Sequence, residues 1–160
     1  LGDYDDAKTE LNKMADSMDE RSTMLLCRTY MKQDDTAHAR QLYQQYMDKY
    51  GETPEAYNGM VLCDIADENY DSALENITKG LALSNDKGKQ DLYFNEIVVY
   101  EKKLDFVTAK TKAEAYVASY PADEELVILQ RNILDKAAEY VKNYPADEAG
   151  IRENNFLKTR

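Results

Sequence analysis

The 160-residue chain carries 20 basic and 31 acidic side chains, a net charge of −11 with its single histidine neutral. That balance argues against a binder of nucleic-acid backbone, which presents a basic surface, and a sequence pI near 4.6 argues equally against anionic membrane faces. With 43% hydrophobic residues but only 6 Gly and 3 Pro, the chain has enough apolar content for a core and too little punctuation for a many-turned β protein, so helices are expected.

The elements follow from alanine spacing and from helix start signals. Ala7, Ala39, Ala73 and Ala109 lie 32, 34 and 36 residues apart. Three residues before them stand Tyr4, Thr36, Tyr70 and Phe106; four after come Leu11, Tyr43, Ile77 and Ala113; seven after come Met14, Tyr46, Gly80 and Tyr116. Offsets of −3, +4 and +7 trace one face of a 3.6-residue helix, and the small residue at its centre marks where a neighbouring helix comes close. Ahead of the last three rows the pattern predicts a second amphipathic helix, over Glu20–Lys32, Pro54–Asp67 and Lys87–Lys103. Thr53 before Pro54-Glu55 is a strong start: a capping hydroxyl, proline at the first helical position, then an acid in the first turn. Asp34-Asp35, Glu68-Asn69 and the stretch near Asp105 break the helices into pairs with connections short enough for antiparallel packing.

Beyond these, Tyr116-Val117-x-x-Tyr120-Pro121-Ala122-Asp123-Glu124 recurs 24 residues later as Tyr140-Val141-x-x-Tyr144-Pro145-Ala146-Asp147-Glu148. That interval is too short for a full helical pair. It predicts one long helix over Asp123–Asn143 and a terminal helix near Asp147–Leu157, which together cap the stack. No apolar run approaches the roughly 18 residues that a membrane span needs. The opening Leu1-Gly2-Asp3-Tyr4 has no initiator Met, basic segment or apolar signal core, as expected of a fragment whose N-terminus lies upstream.

A helical hairpin of about 34 residues, repeated, resembles the tetratricopeptide repeat family. The places of the family's first-helix pattern are taken here by Thr23, Leu26, Cys27 and Tyr30; by Tyr57, Met60, Val61 and Asp64; and by Tyr93, Glu96, Ile97 and Tyr100. The second-helix alanines are those above, and Pro121 stands for the closing proline. Departures are the absence of Trp, Asp64 in place of a tyrosine and Glu96 in place of a leucine. The resemblance implies an all-α solenoid, a right-handed superhelix of antiparallel helix pairs, as a single domain over 1–160. Residues 1–18 would be the second helix of a truncated repeat, 19–51, 52–85 and 86–121 full repeats, and 122–160 an irregular cap. A narrower resemblance, to acidic repeat lipoproteins of Gram-positive bacteria, rests on Asn95-Glu96 and the tail Asn155-Phe156-Leu157-Lys158-Thr159-Arg160. It implies an extracytoplasmic, lipid-anchored whole protein; a cytoplasmic one is the alternative.

Motifs for chemistry are sparse. Cys27 and Cys63, 36 residues apart, form neither a redox pair nor a zinc knuckle and read as small buried residues. His38, the sole histidine, reads as an ordinary surface residue and supports no dyad or zinc site. The acidic pairs fall at helix starts and turns, where they cap amides, which leaves catalysis by paired carboxylates a minor alternative. Leu83-Ser84-Asn85-Asp86-Lys87-Gly88 lacks two of the oxygens a calcium loop needs, and the glycosylation triplet Asn76-Ile77-Thr78 sits inside a predicted helix. No cofactor or metal is called for. Thirteen of the sixteen aromatics are tyrosines; most fall on the core offsets, though tyrosine also suits recognition surfaces.

By resemblance, the first helix of each pair lines a concave groove with Met24, Arg28 and Met31, then Asn58, Leu62 and Ile65, then Phe94, Asn95, Val98 and Glu101. Such a groove accepts a peptide or protein segment, unless the chain's own C-terminal helix covers it. The family's clamp for a terminal carboxylate is not expected, because Met24, Leu62, Phe94 and Val98 stand where it places Lys and Asn. The expected function is a non-catalytic protein- or peptide-binding scaffold, with no nucleic acid as partner. A structural spacer or regulatory module of a larger protein is the alternative. A truncated first repeat would expose an apolar N-terminal face, which leaves homodimerisation open.

Overall fold

The computed structural model describes residues 2–121 and 123–143. Among the described residues the chain forms eight α-helices and no strand: α1 (Gly2–Ser17), α2 (Glu20–Lys32), α3 (Thr36–Tyr50), α4 (Pro54–Ala66), α5 (Tyr70–Leu81), α6 (Lys89–Lys102), α7 (Phe106–Ser119) and α8 (Glu124–Asn143). The predicted helix at Asp147–Leu157 lies outside the described residues, as do the side chains of Tyr4, Ala7 and Leu11.

Helix starts are set by side-chain caps. Asp19, Asp35 and Asp105 accept from the backbone N–H three residues on, at 2.7, 3.1 and 3.2 Å, and Thr53 Oγ1 accepts from Ala56 N at 3.1 Å with Pro54 leading α4. Each satisfies an amide that the first helical turn leaves unpaired. α6 starts two residues later than predicted. Asn85 Oδ1 accepts from Lys87 N at 3.0 Å, and Gly88 has φ +90°, a left-handed conformation that no helix can pass through.

The turns inside the three hairpins are copies of one another. Asp34, Glu68 and Leu104 all adopt left-handed φ, at 57°, 59° and 61°. The residue after each donates its N–H to a carbonyl five residues back: Asp35 to Tyr30 at 3.0 Å, Asn69 to Asp64 at 2.8 Å and Asp105 to Tyr100 at 2.9 Å. The left-handed residue itself donates three back, to Met31, Ile65 and Glu101. This is the Schellman closure of a helix, repeated at the 34- and 36-residue intervals of the alanine rows, with no glycine at the left-handed position.

The chain divides into two compact units between Leu92 and Tyr93. In the first, α2 packs on α3 and α4 on α5 as hairpins, α3 on α4 joins the pairs, and α1 meets α3 while α2 meets α4. Its core holds Cys27, Ala39, Leu42, Tyr43 and Cys63, with Met24, Leu26, Tyr30, Met31 and Met60 packed against them. Ala39 and Ala73 are completely buried, as an alanine must be where backbones approach. Gly59 of α4 lies so close to α3 that a Cβ there would overlap the Tyr43 ring. At the other end Lys49 Nζ donates to the carbonyls of Asp16 (2.9 Å) and Met18 (3.1 Å), and Tyr50 Oη to that of Met18 (2.8 Å), so α3 closes the C-terminus of α1.

The second unit is built on Ile97, Phe106, Ala109, Ala113, Tyr116, Leu126 and Ile133, a cluster drawn from α6, α7 and α8. Leu126 and Ile133 are two turns apart on α8, so one stripe of that helix faces inward, while Val127 and Ile128 point to solvent. The all-α fold of consecutive helices packed in pairs is that expected of a tetratricopeptide-like solenoid. Two repeat positions depart from it: Met14, expected on the core face of the first alanine row, is 46% exposed, and Tyr93, expected as a core aromatic, is 40% exposed.

Candidate functional site

The first unit carries a polar staple that fixes how its second hairpin meets its first. Asp64 of α4 is 1% exposed. Its Oδ1 accepts from Arg40 Nη1 of α3 at 2.6 Å; its Oδ2 accepts from Ser72 Oγ (3.0 Å) and Asn76 Nδ2 (2.7 Å) of α5. Arg40 Nη2 donates to Asp67 Oδ2 at 2.9 Å, and Thr36 Oγ1 to Asp67 Oδ1 at 2.8 Å. A buried carboxylate is tolerated because both oxygens are paired. The residue that broke the repeat's pattern is thus a link among three helices. Asn76, first residue of the glycosylation triplet, is committed to it.

α2 presents an open side of the unit. Residues 21, 24, 25 and 28 share one helical face. There Met24, Leu25 and Arg28 line a shallow cavity of about 420 Å³ with Glu20, Arg21, Tyr46 of α3, Glu55 of α4 and Lys87 from the loop before α6. Leu25 is 65% exposed. Both carboxylates are engaged: Glu20 accepts from Tyr46 Oη at 2.7 Å, and Glu55 faces Lys87 Nζ at 3.5 Å. Burial, then the hydrogen bond to Glu20, pushes the Tyr46 phenol up to about 12, so it stays a donor. Among the described residues neither Arg21 nor Arg28 forms an ion pair.

Of the other sequence-predicted groove residues, Met31 is half-buried with its Sδ 3.2 Å from Cys63 Sγ, and Asn58 and Ile65 are half-buried on α4. Leu62 of α4 is 38% exposed. In the second unit Phe94 packs against the core, edge-on to Tyr116 at 6.0 Å between centroids, and Asn95 and Val98 are half-buried. Glu101 is 3% exposed and ion-paired with Lys136 of α8, so the chain's own last described helix covers it. The sequence reading missed Arg21, Leu25 and Lys87. Arg21 and Leu25 were legible from their helical spacing to Met24 and Arg28; Lys87 reaches the cavity only through the chain's return after α5.

Two further side chains sit differently from expectation. His38, expected on a solvated flank, is half-buried, its Nδ1 2.5 Å from Asp35 Oδ2 and its ring 5.2 Å from that of Tyr30. The thiols of Cys27 and Cys63 are free and buried, and burial pushes them up to about 12 and about 11. Among the described residues no group of His, Cys, Asp or Glu is placed to hold a metal ion, and no helix is long and apolar enough to cross a membrane.

The family model of the coatomer epsilon subunit matches residues 2–128. Neither the curated proteins nor the solved structures yielded a significant match. The family match overturns the resemblance to acidic Gram-positive lipoproteins, and with it the bacterial and lipid-anchored, extracytoplasmic expectation, because a coatomer subunit is a component of a cytosolic coat. That expectation rested on a dipeptide and a six-residue tail, the latter outside the described residues, whereas the match runs through all four alanine rows. The paired-helix order and the extent of that match lead to one conclusion: the chain belongs to the coatomer epsilon subunit family.

Proposed function

We propose that the chain is a non-catalytic scaffold of a coatomer assembly, holding other coatomer subunits against the open sides of its helix pairs. Stacked hairpins offer extended surface rather than a deep enclosed cleft, which suits protein contact better than small-molecule chemistry. The observation that carries this reading is the family match over 2–128, joined to apolar side chains left in water on the first helices of two pairs, Leu25 and Leu62. The contact surface is proposed on α2 and α4 of the first unit, where Met24, Arg28, Met31, Asn58, Leu62 and Ile65 lie. In the second unit Phe94 and Glu101 serve the fold instead.

Co-expression with the other coatomer subunits tests this. Leu25→Asp with Leu62→Asp places charges on two exposed apolar positions of α2 and α4. The doubly substituted chain should stay folded by circular dichroism and lose co-purification. Undiminished co-purification would overturn the assignment of the surface.

A further inference from the structure

Resting on that reading of the α2 face, we infer that the segment it receives is acidic and apolar: carboxylates set against Arg21 and Arg28, with an aliphatic or aromatic side chain laid on Met24 and Leu25.

The inference comes from local charge in a chain whose overall charge points the other way. The cavity is lined by three cations, Arg21, Arg28 and Lys87, and two carboxylates, Glu20 and Glu55, while Asp19 at its edge is held by Ser22 N and is stabilised in part by Arg21. Both carboxylates already have partners, Tyr46 for one and Lys87 for the other. Both arginines are exposed and form no ion pair among the described residues, and they stand two turns apart on one face. A planar guanidinium offers a forked set of donors that fits a carboxylate on two parallel bonds, so each is a ready docking point. The net charge of −11 does not cancel this, because charges farther away than about 8 Å are largely screened at physiological salt. Between the arginines lies the apolar floor, Met24 and Leu25, and methionine adapts its shape to what it meets. A basic partner would find the same groove repulsive and its acids taken, and a purely apolar one would leave two arginines covered without a counter-charge.

The test uses the full chain and a short fluorescein-labelled peptide alternating glutamate and leucine, with glutamine replacing glutamate in the control. Fluorescence polarisation should show the glutamate peptide bound at least about tenfold more tightly than the control, with an affinity that falls as salt rises. Arg21→Glu with Arg28→Glu, both exposed, should abolish that preference with the circular dichroism spectrum unchanged. Equal affinity for the two peptides, no binding of either, or a preference that survives the double reversal would each overturn the inference. Tight binding of the glutamine peptide that Leu25→Asp removes would reject the acidic partner yet leave the α2 face a contact surface. Failure of the scaffold reading itself would show in the co-purification experiment.

Discussion

Arg40 on α3 and Asp64 on α4 form a salt bridge of 2.6 Å, half-buried on the arginine side and sealed on the carboxylate side. The two residues are 24 apart in sequence and belong to different hairpins, so the bond sets the register between repeats. Replacing Arg40 by methionine keeps the aliphatic stem and leaves Asp64 a buried carboxylate with only Ser72 and Asn76 for partners. Loss of one side of a buried pair costs about 3 kcal/mol, and urea denaturation of Arg40→Met should show a fall of that order. A change within error would mean that the pair contributes geometry without stability.

Gly59 sets how closely α4 approaches α3. Adding a methyl group there drives it into the Tyr43 ring, which is itself buried. Gly59→Ala should therefore destabilise the protein by about 1–3 kcal/mol despite alanine's better helix propensity. Combining it with Tyr43→Leu should recover part of the loss, a coupling that a double-mutant cycle reads directly.

The third Schellman turn has a leucine where a glycine would be unstrained. Leu104 is exposed and holds φ at 61°. Leu104→Gly removes that strain at the expense of a more flexible unfolded chain, and the balance should favour the folded state by about 0.5–1 kcal/mol. Thermal unfolding is the measurement; a lower melting temperature would show that leucine's contacts outweigh its backbone strain.

Cys27 and Cys63 should be inert towards Ellman's reagent at pH 8 in the native protein and react fully once guanidinium unfolds it. In the unfolded chain these thiols ionise from the ordinary value of 9.0, whereas in the folded chain they wait until about 12 and about 11. A raised folded value means that the stability gained is whole below pH 9 and is lost as pH climbs towards 11 and 12. The phenol of Tyr46, held up to about 12, acts in the same sense. Denaturation midpoints should hence decline from pH 9 upward, and replacing both cysteines by alanine should flatten that decline.

Sequence alone determined what depends on neighbours along the chain. The alanine rows, the Thr53 cap and the breaks at Asp34-Asp35, Glu68-Asn69 and near Asp105 locate the helices to within a few residues, because caps and 3.6-residue periodicity act within one or two turns. That Met24 and Arg28 share one face of α2 was readable on the same ground. Tertiary structure decided what depends on side chains meeting across large separations. Asp64 looked like a defect in the repeat until Arg40, Ser72 and Asn76 closed around it. Glu101 looked like a groove residue until Lys136, 35 residues on, claimed it. Whether a carboxylate is a surface charge, a staple or a docking point is fixed by which donors the fold brings to its two oxygens, and no local pattern encodes them.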